Sequence, residues 1–232
     1  MAIPLYLAMT AAEFRSQSEY SAPIAWMACH FSPYGTGLTN LPKTLPDGSM
    51  LILNDRTPIC GHDPDLICTL LSQTVTRTKA CAVLLDLQRP DVEEVKILVR
   101  QLINGLPCPV AVSHHYAAGL DCPIFLPPVP VTVSLADFTA PWQGREIWLE
   151  AALDCIAADV DKNGCSFPPF PGCGGEFPHA DTELHCHYRI ETEENRIRFI
   201  LRRTEEDLQA LLEKAEGFGI SCAVGLYQEL HK

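Results

Sequence analysis

Short apolar runs alternate along the chain with segments whose apolar residues recur at helical spacing. The apolar runs predict strands over residues 23–31, 49–55, 80–88, 108–117, 122–129, 146–149, 196–203 and 221–230. Helical spacing predicts helices over 63–75, 89–106 and 204–220, with Asp63 and Thr204 as N-caps of the first and last. The strand runs are mostly apolar without alternation, which is typical of parallel strands covered on both faces.

This succession of elements predicts an α/β fold. Eight parallel strands with crossover connections form a (β/α)8, TIM-like barrel, and we take residues 196–203 as its seventh strand. We expect a compact barrel with reduced helices and a β-hairpin insertion, and the 232 residues fit one domain over 1–232. The alternative is an open doubly wound sheet, but its Gly-rich phosphate-binding turn is absent from the sequence.

Charge and cysteine content narrow the class of protein further. The chain has 17 basic and 29 acidic residues, a net charge of −12, which argues against a nucleic-acid partner. No apolar run approaches the roughly 20 residues that span a bilayer, and the N-terminus lacks a signal peptide's basic region, so we expect no membrane partner. The 11 cysteines are odd in number and several lie in apolar runs, which predicts free thiols in a cytoplasmic protein.

Polar side chains follow most of the predicted strands. Barrels of this type place their sites at the C-terminal ends of the strands. The residues there are His30, Ser32, Tyr34, Asn54, Asp55, Asp86, Gln88, Ser113, His114, His115, Tyr116, Glu150, Tyr227, Gln228 and Glu229. Planar polar groups can hydrogen-bond sugar hydroxyls and aromatic faces can stack on sugar rings, so the set predicts a cleft for a carbohydrate or other small molecule. The alternative is that these side chains only meet solvent.

Two segments resemble one enzyme family. The segment "VLLDLQ", residues 83–88, is similar to the fourth-strand signature D-x-D-x-E of family-18 chitinase-like glycoside hydrolases. Asp86 falls on the last Asp, Gln88 on the Glu, and Leu84 on the first Asp. The segment "GISCAVGLYQEL" resembles that family's last strand, with Tyr227 in the place of an aromatic residue under the sugar. The segment 83–88 is the third predicted strand, however, unless residues 4–10 form a strand as well.

The resemblance implies a site chemistry with one defect. In that family the Glu protonates the leaving oxygen, and the Asp steers the substrate's own N-acetyl group in its attack. Gln88 cannot donate a proton in this way, and general acid catalysis contributes about 10²–10⁴-fold. We therefore expect a binding protein with weak or no hydrolysis. Its predicted substrate-binding residues are His30, Tyr34, Asn54, His114, Tyr116 and Tyr227.

Three alternatives stay open at this point. The first is an active glycosidase in which Glu150 or Glu229 supplies the acid. The second is a structural or interaction protein without a small-molecule site. In the third, Asp86 and Gln88 merely cap a strand and hold the loop that follows it.

A second group of residues suggests metal binding. Cys165, Cys173, His179, His185, Cys186 and His187 lie close together in the sequence. Zinc takes four such ligands, often from paired short spacings, but the group contains no C-x2-C pair. We therefore predict an ordered Cys-rich loop here, and neither a metal nor another cofactor.

Overall fold

The computed structural model describes residues 2–17, 19–20, 22–33, 37–57, 61–89, 93–162, 164–169, 172–193 and 196–231. The strands in chain order are β1 Leu5–Met9, β2 Ile24–Phe31, β3 Leu38–Thr39, β4 Met50–Asn54, β5 Ala82–Asp86, β6 Val110–Ser113, β7 Ile124–Leu126, β8 Ile147–Ala151, β9 Cys155–Asp161, β10 Gly164–Ser166, β11 His179–Asp181, β12 Cys186–Glu193, β13 Arg196–Arg202 and β14 Ile220–Leu226. The α-helices are α1 Ala11–Ser16, α2 Pro64–Thr78, α3 Glu93–Gly105, α4 Leu135–Thr139, α5 Glu205–Ala215 and α6 Tyr227–Leu230.

Eight parallel strands close into a barrel, which confirms the predicted fold class. Their order around the barrel is β1, β14, β8, β7, β6, β5, β4 and β2. The ring closes because β1 pairs on one edge with β14 (Leu5 opposite Ala223) and on the other with β2 (Leu7 opposite Ile24). The two-residue strand β3 adds to β2 in antiparallel orientation.

The apolar runs bury residues on both faces of the barrel wall. On β5, Leu84 points into the barrel, where it packs with a small inner core, while Val83 and Leu85 point outward to the larger core under the helices. Strand geometry sends successive side chains to opposite faces, so a strand covered on both faces must be apolar at every position. This explains why the barrel strands read as uninterrupted apolar runs.

A second sheet interrupts the barrel between β8 and α5. Its five antiparallel strands lie in the order β10, β9, β13, β12 and β11, so the predicted hairpin is part of a larger insertion. The assignment of β13 to the barrel was therefore wrong. Its arginines recur at alternate positions, and Arg198 and Arg196 both pair with Asp159 of β9 (Nε to Oδ1 2.6 Å and Nη1 to Oδ2 3.0 Å). A barrel strand covered on both faces would have no room for these charges.

The strand that completes the barrel is β1. Because it precedes the first strand that we counted, the segment 83–88 ends the fourth barrel strand rather than the third. Its strand number therefore agrees with the family signature that it resembles.

Buried Arg203 ties the inserted sheet to the barrel. Its guanidinium donates hydrogen bonds to the carbonyls of His185 (3.2 Å), Leu184 (3.1 Å) and Val129. Only 2% of Arg203 is exposed, so these charge-assisted bonds replace nearly all of its contact with water. The next residue, Thr204, caps α5 in a capping box with Asp207, as the sequence predicted.

One pair of cysteines departs from the prediction of free thiols. Cys155 of β9 forms a disulfide with Cys173, with their Cα atoms 6.2 Å apart. Eight other cysteines within the described residues are free, including buried Cys29 and Cys222. The prediction of free thiols is thus wrong at this pair, because the fold of the insertion brings together two thiols that are 18 residues apart in the sequence.

No helix in the described ranges is long and apolar enough to cross a bilayer.

Candidate functional site

The barrel has a cavity of about 620 Å³ at the C-terminal ends of its strands. Its polar lining consists of Thr10, Arg15, His30, Asn40, Asn54, Asp55, Arg56, Asp86, Gln88 and Glu150. Strand alternation explains this lining. On several strands the inward-facing side chains are apolar inside the barrel and polar at the C-terminal end of the strand. On β5 the inward residues are Ala82, Leu84 and finally Asp86. The barrel interior is therefore a packed apolar core topped by a polar layer.

Asp86 and Gln88 lie together in this layer. The Gln88 side-chain amide donates a hydrogen bond to Asp86 Oδ1. Burial raises the pKa of Asp86, and the charge of nearby Asp55 adds to this, while the bond from Gln88 acts in the opposite direction. Asp86 is half-buried and Gln88 is exposed. Gln88 thus presents an amide at the cavity mouth and holds the carboxylate of Asp86 in place.

Glu150 on β8 brings a second carboxyl group to the same cavity. Its pKa is raised by burial first, and then by the negative charges of Asp86 and Glu229. Like charges that share a poorly hydrated space disfavour ionisation of both groups. Glu150 therefore retains its proton to a higher pH than a carboxyl group in water. Such a carboxyl group is suited to donating a proton or a hydrogen bond.

Other polar residues fix the loops around this layer. Asn54 donates to the carbonyl of Met27 (Nδ2 to O 3.1 Å) and accepts from the backbone of Arg56 (N to Oδ1 3.2 Å). Buried Asp55 accepts from the amide of Arg89 at 2.9 Å. These bonds order the cavity rim before any ligand binds.

Ser113, on the neighbouring strand β6, holds the chain directly after β5. Its hydroxyl oxygen accepts from the amide of Leu87 at 2.9 Å and donates to the carbonyl of Leu85 at 3.2 Å. Together with Asp55, this side chain fixes the segment that carries Gln88.

His30 lines the cavity beside Asn40. The Nδ2 atom of Asn40 lies 3.1 Å from His30 Nε2, and because an amide nitrogen can only donate, the imidazole nitrogen accepts. Burial and the positive charge of Arg56 lower the pKa of His30, outweighing its contacts with Asn54 and the Cys29 backbone. His30 is thus held neutral more strongly than a histidine in water.

Two predicted substrate-binding residues on the β6 side lie outside the cavity. Strand β6 ends at Ser113 and the chain turns into a 3₁₀ helix, which carries the next three residues away from the barrel axis. His114 lies against His115 with ring centroids 3.8 Å apart and the two rings tilted by 40°. Burial, and then the charge of His115, lower the pKa of His114. Tyr116 is buried and its hydroxyl donates to the carbonyl of Arg89. Neither residue lines the cavity.

The end of β14 directs Tyr227 away from the cavity. Val224 and Leu226 point into the barrel, so Tyr227 falls on the other side, where it begins α6. Its hydroxyl accepts a hydrogen bond from Gln17 (Nε2 to Oη 2.7 Å), and it borders a separate small recess. Glu229, on the same helix, does not line the cavity either. Tyr34 lies outside the described residues.

Sequence reasoning missed the two arginines at the cavity rim, Arg15 and Arg56. Arg15 lies on α1, directly after the strand that was not counted. Arg56 is two residues beyond Asn54, where the search for carboxylates, amides and aromatic groups passed over it. A search for every charged residue within two positions of a strand end would have found Arg56.

The side chains of the Cys- and His-rich segment do not converge on one site. Cys173 is bonded to Cys155, and His187 Nδ1 lies 2.9 Å from Asp207 Oδ2. In the part of the chain that the structure describes, no group of three or more His, Cys, Asp or Glu side chains is arranged to hold a metal ion.

Comparison with solved structures finds similar folds in bacterial enzymes. The spore cortex-lytic enzyme SleL of Bacillus megaterium aligns with a TM-score of 0.53 at 10% identity, covering 96% of this chain and 70% of SleL. The Bacillus cereus SleL gives a TM-score of 0.50 at 10% identity, with 96% and 70% covered. A chitinase from Chromobacterium violaceum gives 0.50 at 10% identity, with 97% of this chain and 93% of the chitinase covered.

These likenesses define the class of fold. The chain is a TIM barrel that resembles the barrels of SleL and chitinase, glycoside-hydrolase-like in architecture and carrying an extra antiparallel sheet. No family model and no curated protein matches the sequence.

Proposed function

We propose that the cavity binds a carbohydrate or sugar-derived ligand and hydrolyses it weakly or not at all. The observation that carries this proposal is the convergence of Asp86, Gln88 and Glu150 on one cavity at the C-terminal end of the barrel. Carboxylates and amides are hydrogen-bond partners for hydroxyl groups, and Phe125 and Leu226 add apolar surface for a sugar ring. A mostly apolar cavity with a few convergent polar groups is the usual form of a small-molecule site.

The hydrogen bonds around β5 support a ligand role for Asp86 and Gln88 over a purely structural one. Asp55 and Ser113 supply the side-chain bonds to the backbone of the loop after β5. Within the described part of the chain, Asp86 and Gln88 bond to each other and not to that backbone. Their polar atoms are therefore not needed to hold the loop.

Weak hydrolysis follows from the chemistry of the amide. Gln88 occupies the position where the resemblance to family-18 hydrolases puts the proton donor, and an amide cannot protonate a leaving oxygen. Losing a general acid costs about 10²–10⁴-fold in rate.

A second candidate is an active glycosidase with Glu150 as the acid. The raised pKa of Glu150 beside Asp86 favours it, since a general acid must keep its proton near the working pH. Glu229 is the weaker choice because it does not line the cavity.

Calorimetric titration with chito-oligosaccharides and cello-oligosaccharides tests the binding proposal. We expect saturable binding of one series, weakened about tenfold by Asp86→Ala or Glu150→Ala because each loses a hydrogen bond to the sugar. Asn104→Ala, an exposed change on α3 outside the barrel, is the control. Absence of binding, or binding unaffected by both cavity variants, would contradict the proposal.

An assay on chromogenic N-acetylglucosaminides separates the two candidates. We expect little or no turnover by the wild type. Measurable turnover that disappears in Glu150→Gln would favour the second candidate.

A further inference from the structure

Two arginines stand at the rim of the cavity. Arg15 on α1 and Arg56 after β4 are both exposed and both line it. Arg15 donates a hydrogen bond from its Nε to the carbonyl of Ala11 at 2.8 Å. Across the residues that the structure describes, neither guanidinium pairs with a carboxylate. Their terminal amino groups are therefore available to a ligand.

Carboxylates are plentiful in the molecule. The chain carries 29 acidic residues against 17 basic ones. Arg196 and Arg198 show how such a residue can be engaged, since both pair with Asp159. Arg15 and Arg56 differ from these two in having no carboxylate partner within the described residues.

The charged groups of the cavity differ in exposure. Arg15 and Arg56 are exposed at the rim, whereas the two carboxyl groups with raised pKa values, Asp86 and Glu150, are half-buried on β5 and β8. A third carboxylate, Asp55, directly precedes Arg56 in the chain, but it is buried and accepts a hydrogen bond from the amide of Arg89. The exposed rim therefore favours an anion, and the half-buried carboxyl groups favour hydroxyl groups.

We infer that the ligand of this cavity is an anionic sugar, whose carboxylate or sulfate group is held by Arg15 and Arg56 while its hydroxyl groups face Asp86 and Glu150. This inference rests on the proposed function and adds the charge of the ligand to it. The guanidinium fork matches the paired oxygens of either anion, and such bonds are stronger than neutral ones.

Calorimetry with three matched tetrasaccharides tests the inference. Hyaluronan tetrasaccharide carries carboxylates only, its methyl ester is neutral, and the methyl ester of chondroitin sulfate tetrasaccharide carries sulfates only. At low ionic strength we expect at least one anionic probe to bind about tenfold more tightly than the neutral ester, and the difference to shrink at about 0.5 M salt because both arginines are exposed. The anionic probe that binds identifies the group as carboxylate or sulfate.

Variants connect the preference to the two arginines. Arg15→Gln combined with Arg56→Gln should abolish the preference for the anionic probe. Arg100→Gln, at an exposed position of α3, removes a positive charge outside the cavity and should change nothing.

Each contrary result has a distinct meaning. If the neutral ester binds as tightly as the anionic probes, the inference is overturned and the proposed function stands. A preference that survives in the double variant overturns the role of the two arginines. If none of these probes binds and the chito- and cello-oligosaccharides fail as well, the proposed function falls with the inference.

Discussion

Replacing Gln88 by Glu puts a carboxyl group where the resemblance to family-18 hydrolases places the proton donor. The Gln88 amide donates to Asp86 Oδ1, so the introduced carboxyl group would lie against an existing carboxylate. Two unit charges about 4 Å apart repel by about 1 kcal/mol in water and about 4 kcal/mol at the effective dielectric near a protein surface. Gln88 is exposed, so the lower figure applies better. The repulsion raises the pKa of the introduced group.

A raised pKa makes the introduced group a usable acid. In its protonated form the carboxyl can donate to Asp86 as the amide does, so the local hydrogen bond is kept. We expect kcat/KM on chromogenic N-acetylglucosaminides to rise about tenfold, which corresponds to about 1.4 kcal/mol of transition-state stabilisation. This is well below the full 10²–10⁴-fold of general acid catalysis, because the exposed group is only partly protonated at neutral pH.

The pH profile and two variants make the test specific. The gain should be largest at acidic pH and should fall as pH rises through the pKa of the introduced acid, since only the protonated form donates. Adding Asp86→Asn should abolish the gain, because it removes the carboxylate to which the resemblance to family-18 hydrolases assigns the steering of the substrate. Gln228→Glu, which adds the same charge at an exposed position of α6 outside the cavity, is the control. A folded Gln88→Glu variant with no gain at any pH between about 4 and 8 would refute the reasoning.

Three further predictions concern stability and covalent structure. Burial and neighbouring charges raise the pKa of Glu150 in the folded state, so ionisation of Glu150 opposes folding at any pH above its pKa in the unfolded chain. In urea denaturation, Glu150→Gln should therefore raise the free energy of unfolding at pH 7 by less than about 1 kcal/mol, a figure that allows for solvent screening. Near pH 4 the same substitution should leave the free energy of unfolding unchanged. Arg203→Met should lower the free energy of unfolding by about 3 kcal/mol, because three carbonyls lose their donor; an effect below about 1 kcal/mol would contradict the anchoring role. In mass spectrometry of denatured, unreduced protein, Cys155 and Cys173 should escape alkylation until a reductant is added, whereas their labelling without reductant would exclude the disulfide.

The fold class could be predicted from the sequence because parallel barrel strands produce an unmistakable pattern. Runs such as residues 82–85 are apolar at every position, and they alternate with helices that begin at recognisable caps. The strand count was harder. β1 is only five residues long, and β13 resembles a barrel strand in length and apolar content until its alternating arginines are considered.

The candidate site could be predicted only in part. The sequence pointed to Asp86, Glu150 and Asn54 because each lies at the end of a strand. The three side chains meet because each occupies a position of its strand that faces the barrel interior. That Tyr227 lies outside the cavity could not be predicted, because its direction relative to the barrel axis depends on where β14 ends, and a shift of one residue reverses the direction of a side chain. Arg15 could not be predicted as a cavity residue, because the strand that precedes it, β1, was not counted.

The central claim is that the barrel cavity is a carbohydrate site, and a crystal structure with the tightest-binding oligosaccharide tests it most directly. The account predicts a sugar ring in the cavity at the C-terminal end of the barrel, with hydroxyl groups within hydrogen-bond distance of Asp86 and Glu150. A sugar bound elsewhere, for example in the recess beside Tyr227 or on the inserted sheet, with the cavity containing only water, would contradict it.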